Sequence, residues 1–238
     1  MSAFLYGVLI KWKLDLRNKG ILLTYYIVPL VFFLFMSRIF TSINEEAYKT
    51  LIPSMTVFGV TMGAIIGFPT SLVEFFNSDI KKSYKVYNIP FFSIIGNNFI
   101  SGFIHLFIMS LILFFIAPIA FDATIPNNIF LYFIGLLIFL FASLSIGTLI
   151  GLFVKSISKL TMISQFIFLP SIMLSGIMFP VDLLPNIFRN IGKVFPATLG
   201  YEIMSTGKYD TTSLLPLIII IIFSIIISIW KVKRLEII

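Results

Sequence analysis

Few residues in this sequence have the types and spacing that catalytic or metal chemistry requires. Nucleotide hydrolysis, zinc proteolysis and acyl transfer use short signatures, and the sequence contains no G-x-x-x-x-G-K-[ST], H-E-x-x-H or G-x-S-x-G. His105 is the only histidine and cysteine is absent, so one chain cannot form a two-histidine or thiolate metal site. We predict no catalytic, cofactor-binding or metal-binding residue. We expect His105 to be a packed or hydrogen-bonded residue that Asn replaces with little loss of activity.

The most distinctive segment is 173–202, MLSGIMFPVDLLPNIFRNIGKVFPATLGYE, where polar residues interrupt an apolar run. Proline removes a backbone donor and breaks a helix, so Pro180, Pro185 and Pro196 divide this segment into short pieces. Between the prolines, apolar residues recur at helical spacing with charged residues off that face. The apolar residues are Leu183, Leu184, Ile187, Ile191, Val194 and Phe195, and the charged ones are Asp182, Arg189 and Lys193. This pattern predicts a helical hairpin that dips into one face of a membrane.

The composition indicates an integral membrane protein. Hydrophobic residues make up 59% of the 238 residues, charged residues 11%, and the mean hydropathy is +1.07. Segments of about ten alternating residues, which a membrane β-barrel requires, do not occur. We predict one all-α polytopic domain, 1–238, in a lipid bilayer. The net charge of +7 is explained by basic loops on the inner side of a membrane, so nucleic acid is not an expected partner.

Six apolar segments have the length of a membrane crossing, which is about 20 residues. They are 21–39, 51–76, 92–117, 129–154, 160–179 and 213–230, with a kink expected at Pro29. Residues 1–19 precede them and place Leu5, Val8, Leu9, Trp12 and Leu16 in one helical stripe. We predict an amphipathic helix on the membrane surface, bending into the first span at Gly20. The alternative is a basic N-terminal flank without helical structure.

The distribution of Lys and Arg predicts the orientation of the spans. With the N-terminus inside, most of the 17 basic residues lie on the inner side. These are Lys11, Lys13, Arg17, Lys19, Lys81, Lys82, Lys85, Lys155, Lys159, Lys231, Lys233 and Arg234. Both termini and the loop 77–90 are then cytoplasmic, and the hairpin 180–210 is on the outer face.

The loop 77–90, NSDIKKSYKVYNIP, alternates apolar or aromatic residues with basic ones at spacing that suits a short amphipathic helix. Proline disfavours a helical residue before it, so the helix is expected to stop before Pro90. The loop is either a basic patch on anionic lipid or a docking helix for a cytoplasmic partner. Glu74 closes the span before this loop. We expect it to pair with Lys81 or Lys82, or to reach interfacial water.

Small residues at four-residue spacing mark surfaces where two helices approach closely. Gly59, Gly63 and Gly67 form such a series in the second predicted span, and Gly147 and Gly151 form another in the fourth. The close contact is either within one subunit or between two subunits.

Taken together, the order of these elements resembles the permease subunit of type 2 ABC exporters over essentially the whole chain. The matching features are the N-terminal amphipathic helix, six spans, a short cytoplasmic helix ending in proline, and an outer S-G-x-x-F-P-x-x-x-x-P hairpin. The residues that carry the resemblance are Ser175, Gly176, Phe179, Pro180, Pro185, Pro196 and Glu202, with Ile80, Lys81, Lys82, Tyr84 and Pro90 in the loop.

The resemblance implies a non-catalytic subunit that pairs with a second permease copy and a separate cytoplasmic ATPase, which would bind ATP and Mg. It implies that the ATPase docks on Asp79, Ile80, Lys81, Lys82, Tyr84 and Lys85. It further implies that the second span, with Gly59, Gly63, Gly67 and Glu74, and the fifth span line the dimer interface and pathway, and that the hairpin gates this pathway. The expected cargo is hydrophobic or amphipathic, with an amphipathic peptide favoured over a drug or lipid.

Richness in Ile, Phe, Lys and Asn suggests an AT-rich genome. Compact permeases of the kind that this chain resembles are common in bacteria with such genomes, so the resemblance implies a bacterial plasma membrane. Two other classes remain open at this point: a self-contained channel or ion-coupled transporter, and a non-transporting membrane scaffold or immunity protein.

Overall fold

The fold is built from helices joined by short connections, as a computed structural model of residues 3–43, 45–178 and 180–237 shows. No strand occurs in these ranges. The α-helices are Ala3–Arg17, Lys19–Leu22, Val28–Ile43, Leu51–Met62, Phe68–Asn77, Ile80–Val86, Phe91–Phe121, Ile129–Phe153, Ile157–Met173, Asn186–Gly192, Pro196–Thr206 and Thr211–Ile237. Leu23–Ile27 and Gly63–Gly67 are π-helical, and Glu45–Lys49 and Val181–Leu183 are 3₁₀-helical.

Five helical segments in the described part of the chain are long and apolar enough to cross a membrane. We name them the first span (Lys19–Phe40), second span (Leu51–Asn77), third span (Phe91–Phe121), fourth span (Ile129–Phe153) and last span (Thr211–Leu235). The fifth predicted span, 160–179, corresponds to an apolar helix of 17 residues, Ile157–Met173, which we name the short helix. At 1.5 Å per residue it is about 26 Å long, less than the roughly 30 Å of a bilayer core.

The second span forms the centre of the bundle, and its residues 51–61 are all buried. The fourth span packs against it where glycine leaves room. A Cβ on Gly147 would lie 2.2 Å from the carbonyl oxygen of Ala64, and a Cβ on Gly151 would lie 2.8 Å from Cβ of Leu72. The close contact predicted from this glycine spacing is therefore a contact within the chain.

Two π-helical turns, one in the first span and one in the second, each precede a proline by two residues. The ring of a proline clashes with the carbonyl four residues earlier, and the wider π turn accommodates that carbonyl. In the first span this turn lies before Pro29, where the sequence predicts a kink, and in the second it lies before Pro69. Ser164 of the short helix donates a hydrogen bond of 2.7 Å to the carbonyl of Ile65 within the second turn.

The N-terminal helix (Ala3–Arg17) is separated from the first span by Asn18, whose side chain accepts hydrogen bonds from the backbone of Gly20 and Ile21. The bend was predicted at Gly20, but the break lies at Asn18, because the side chain of Asn caps the following helix and Gly has no side chain to do so. Three members of the predicted apolar stripe, Leu5, Leu9 and Leu16, are exposed at the surface of the chain. The other two members of the stripe face inward where the helix packs against the third span: Val8 is buried and Trp12 stacks on His105.

Candidate functional site

The predicted amphipathic helix in the loop 77–90 is present as Ile80–Val86, which we name the loop helix. Two residues after its last residue, Asn88 has a left-handed backbone conformation with φ of 52°. The N–H of Ile89 bonds to the carbonyl of Tyr84 at 2.9 Å and that of Asn88 to the carbonyl of Lys85 at 3.2 Å. This pair of bonds is the Schellman arrangement, in which a left-handed residue closes the helix.

Tyr84 fixes the loop helix to the bundle. Its ring packs edge-on to Phe75 at a centroid distance of 5.3 Å, and Phe91 lies edge-on to Phe75 and Phe76 at 6.4 and 5.8 Å. Aromatic pairs in this geometry stabilise contacts beyond their buried area. Tyr84 therefore anchors the loop helix to the bundle, and its contact with a docked ATPase stays a prediction.

The fourth and last spans complete the seat of the loop helix. Phe91 is buried together with Leu152 and Val232, and Tyr84 packs on the edge of that cluster. A groove of about 390 Å³ lies beside the loop helix, lined by Tyr84, Lys85, Asn88, Ile89, Pro90 and Phe91. With Phe76 of the second span, the cluster joins five helical segments, so the position of the loop helix is set by the bundle.

The remaining loop-helix residues point away from the bundle. Ile80, Lys82 and Lys85 are exposed, and Lys81 is half-buried. Lys82 pairs with Asp79 at 2.7 Å, with both side chains largely in solvent. Glu74 is exposed. Glu74 was expected either to pair with Lys81 or Lys82 or to reach interfacial water, and its exposed position favours water.

The hairpin, residues 174–210 between the short helix and the last span, begins with a turn that requires glycine. Gly176 has φ of +91°, a conformation that side chains disfavour. A Cβ there would lie 2.7 Å from Cγ2 of Val181. Ser175 is fully buried, donates to the carbonyl of Ile172 at 2.8 Å and accepts from the N–H of Ile177 at 3.3 Å. Ser175 and Gly176 therefore shape the reversal itself.

Two helices follow the turn, and they differ in burial. Asn186–Gly192 begins after Pro185 and leaves Ile187 and Phe188 exposed. Pro196–Thr206 begins with its buried proline and packs against the second and fourth spans. Pro180 is exposed at the start of the intervening 3₁₀ turn. Phe179, which we included in the gate, lies outside the described residues.

The hairpin encloses one side of a cavity of about 1150 Å³. The first and second spans form its other side through Phe40 and Leu51, so the cavity lies at the end of the bundle opposite the loop helix. Its apolar lining includes Met36, Phe40, Leu51, Ile177, Met178, Val181 and Tyr201. Its charged lining consists of Lys49, Asp182, Arg189, Lys193 and Glu202. The cavity thus combines apolar walls with charges of both signs.

The hairpin charges make weak and exposed contacts. Arg189 Nη2 donates to the carbonyl of Asp182 at 3.3 Å and lies 3.8 Å from its carboxylate, which is almost fully exposed. Glu202 accepts a hydrogen bond from Ser213 at 2.9 Å. Within the described residues, Arg189 Nε and the hydroxyl of Thr198, both from residues lining the cavity, are buried without a hydrogen-bond partner.

Tyr209 ties the end of the hairpin to the fourth span. Its hydroxyl donates to the carbonyl of Leu131, and burial raises the pKa of Tyr209. The hydroxyl therefore stays protonated, and remains a donor, over the physiological pH range.

The glycine series of the second span is covered by the same chain. A Cβ on Gly59 would meet Met109, one on Gly63 would meet Leu106, and one on Gly67 would lie 2.5 Å from the hydroxyl of Thr24. Two segments were expected at a subunit interface, the second span and the fifth predicted span. The glycine face of the second span is covered by other helices of the same chain. The short helix exposes Met162, Phe166, Leu169 and Met173 on one side.

Sequence reasoning missed two features near these sites. Asp15, placed beside the predicted apolar stripe, is buried at 2% exposure and accepts hydrogen bonds from Lys11 and Ser101. Gly192 allows the hairpin to approach the carbonyl of Leu174, which a Cβ would meet at 2.9 Å. The available signal for Asp15 was its position as the single carboxylate of an amphipathic helix. That signal does not identify Ser101, the partner on a distant helix.

The sequence was compared with protein families, curated proteins and solved structures. The model of the family described as ABC-2 type transporter matches residues 4–209. No curated protein and no solved structure matches the chain.

Proposed function

Because the chain belongs to the ABC-2 type transporter family and is a membrane-spanning permease subunit, we propose that it exports a hydrophobic or amphipathic cargo using a separate ATPase. We place both termini and the loop helix in the cytoplasm, the hairpin on the outer face, and the chain in a bacterial plasma membrane. The short helix and its turn complete a sixth crossing, and the hairpin re-enters the outer leaflet.

The observation that carries the proposal is the cavity under the hairpin. Apolar walls from Phe40 and Tyr201 suit the apolar side of a cargo, while Arg189 and Thr198 hold polar atoms without partners among the described residues. Sites for small amphipathic molecules combine a largely apolar lining with a few polar groups. An amphipathic peptide therefore fits the proposal best, with drugs and lipids as the other candidates.

The cargo is tested by ATP hydrolysis in the purified chain together with the ATPase that co-purifies with it. We expect a synthetic amphipathic peptide to raise the rate severalfold, while a scrambled peptide of equal composition and no amphipathic face leaves it unchanged. Equal stimulation by both peptides, or by neither, contradicts an amphipathic peptide as cargo.

The ATPase is proposed to bind the exposed side of the loop helix. The loop helix packs through Tyr84 against Phe75, which in turn contacts Phe91. A force on the loop helix can therefore reach the second and third spans. Reversing Lys81, Lys82 and Lys85 to Glu is expected to reduce co-purification of the ATPase more than tenfold. The matched control reverses Lys155 and Lys159, which are exposed after the fourth span. Retained co-purification in the first variant, or equal loss in both, contradicts this docking site.

A second copy of the chain is proposed to pack against the exposed side of the short helix. Phe166 is 80% exposed there. Since the chain has no cysteine, a Phe166→Cys variant is expected to form a disulfide-linked dimer in membranes. A Phe223→Cys variant, exposed on the last span, is the control and should remain monomeric. Dimers from the control alone would place the interface elsewhere.

A further inference from the structure

A hydrogen bond to a buried carboxylate joins the N-terminal helix to the third span. Asp15 accepts a hydrogen bond from Lys11 of its own helix and one of 2.7 Å from Ser101 of the third span. Its side chain is 2% exposed, whereas that of Lys11 is 21% exposed. A carboxylate is this deeply buried only where partners replace its hydration. The contact therefore depends on the third span being in place.

The first span meets the other two helices beside this contact. His105, one helical turn after Ser101, is fully buried, and its Nδ1 lies 2.8 Å from the hydroxyl of Tyr26. The ring of Trp12 stacks on His105 at a centroid distance of 6.0 Å, and the ring of Tyr25 lies 5.5 Å from it. Aromatic packing thus surrounds His105, where the first span meets the N-terminal helix and the third span.

The two helices remain close toward the chain terminus. A Cβ on Gly7 would lie 2.3 Å from Nδ2 of Asn97, and one on Gly96 would lie 3.1 Å from the ring of Phe4. Contacts therefore extend from Phe4 to Asp15, about three helical turns. A helix held only by lipid would not need glycines at both points of approach.

The third span begins directly after the loop helix. Phe91 is its first residue and belongs to the aromatic seat of Tyr84. We propose that Asp15 is a positioning residue that fastens the N-terminal helix to the third span, so that both move with the loop helix as one rigid unit. The movement rests on the proposed function, because it assumes an ATPase at the loop helix. The fastening itself does not.

The fastening is tested by a disulfide between the two helices in the full chain in membranes. The chain has no cysteine. A Cβ on Gly7 would lie 3.1 Å from Cγ of Asn97, the position that the sulfur of a cysteine at 97 takes, so a Gly7→Cys/Asn97→Cys pair is close enough to form a disulfide. We expect complete oxidation of this pair. Adding Asp15→Asn should slow it about tenfold or more, because Ser101 of the third span loses the carboxylate to which it donates and Lys11 is left partly buried without its partner. Adding Ser101→Ala, which removes one hydrogen bond, should slow it less.

The control is Asp122→Asn, an equal charge change at the far end of the third span, where φ of 52° suits Asn. It should leave the oxidation rate unchanged. Equal rates in all variants mean that Asp15 does not fasten the helix and overturn the proposal.

The rigid unit is tested by ATP hydrolysis in the chain purified with its ATPase. Oxidising the cysteine pair should leave hydrolysis unchanged. Asp15→Asn should lower it severalfold, and oxidation in that background should restore it, a rescue that a merely structural defect would not show. Loss of hydrolysis on oxidation of the pair alone means that the helices separate during the cycle, which overturns the rigid unit. If no ATPase accompanies the unmutated chain, the proposed function fails, and the oxidation rates still decide the fastening.

Discussion

The two ends of the molecule use carboxylates in opposite ways. Asp15 is buried and bonded to two side chains, one of them on another helix. Asp182, in the hairpin, has a side chain that is 95% exposed and lies 3.8 Å from Arg189. A buried ionic contact is lost at high cost when one partner is removed, whereas an exposed pair contributes little. The difference is that Asp15 is held inside the chain by two partners, whereas the pair of Asp182 and Arg189 lies at the surface beside the cavity.

The largest effect is expected at the buried carboxylate. Asp15→Asn should lower the free energy of unfolding by about 2 kcal/mol, below the usual cost of breaking a buried pair because Lys11 is partly exposed. Thermal unfolding of the detergent-purified chain measures this. An unchanged Tm would remove the contrast between the two ends.

The hairpin turn offers a test in which one glycine is the control for another. Gly176→Ala should cost about 1.5 kcal/mol, since positive φ strains Ala and the new Cβ meets Val181. Gly207 has φ of +65° with open space around it, so Gly207→Ala should cost about 1 kcal/mol from strain alone. The hairpin is measured by its rate of proteolysis in intact membranes. Equal rates for the two variants would mean that contact at Gly176 does not hold the turn.

A smaller effect is expected at the seat of the loop helix. Tyr84→Ala should weaken the packing of this helix by about 1 kcal/mol through loss of its aromatic contact. Trypsin should then cleave at Lys81, Lys82 or Lys85 severalfold faster. Tyr87→Ala removes a ring that is 75% exposed and serves as the control. If both variants are cleaved at the same rate, Tyr84 does not seat the helix.

The smallest effect is expected for the hairpin ion pair. Asp182→Asn should change the free energy of unfolding by less than about 0.5 kcal/mol, because the pair is exposed and long. A decrease in Tm as large as that of Asp15→Asn would show that the hairpin end is as firmly held as the other.

Prediction from sequence was most reliable where one helix determines its own pattern. The long spans and the loop helix were located to within a few residues, because apolar length and periodicity are properties of a single segment. The fifth predicted span was too long by comparison with the short helix, since apolar residues continue through the turn at Gly176. The break after the N-terminal helix lies two residues before the predicted position, at Asn18 instead of Gly20. Both residue types mark helix boundaries, and the sequence alone does not say which of the two ends the helix.

Contacts between distant segments were beyond the reach of the sequence. Ser101 lies 86 residues from Asp15, and no local pattern links them. Likewise, Tyr84 has the same spacing in the loop helix whether it faces the bundle or a partner. The glycines of the second span predicted close packing, but the identity of the neighbouring helix depends on the whole arrangement. The gate and docking assignments remain predictions.

The central claim concerns the two ends of the molecule. When the nucleotide bound to the ATPase at the loop helix changes, the accessibility of the hairpin cavity changes with it, whereas the N-terminal helix stays packed against the third span. The most direct test is the rate of maleimide labelling at two positions. A membrane-impermeant maleimide is used for a Tyr201→Cys variant, whose site lines the cavity. A permeant maleimide is used for a Val8→Cys variant, whose site is a buried residue of the N-terminal helix. Rates are compared with and without vanadate trapping of the co-purified ATPase. We predict a severalfold change for Tyr201→Cys and none for Val8→Cys. No change at Tyr201→Cys, or an equal change at both, would contradict the account.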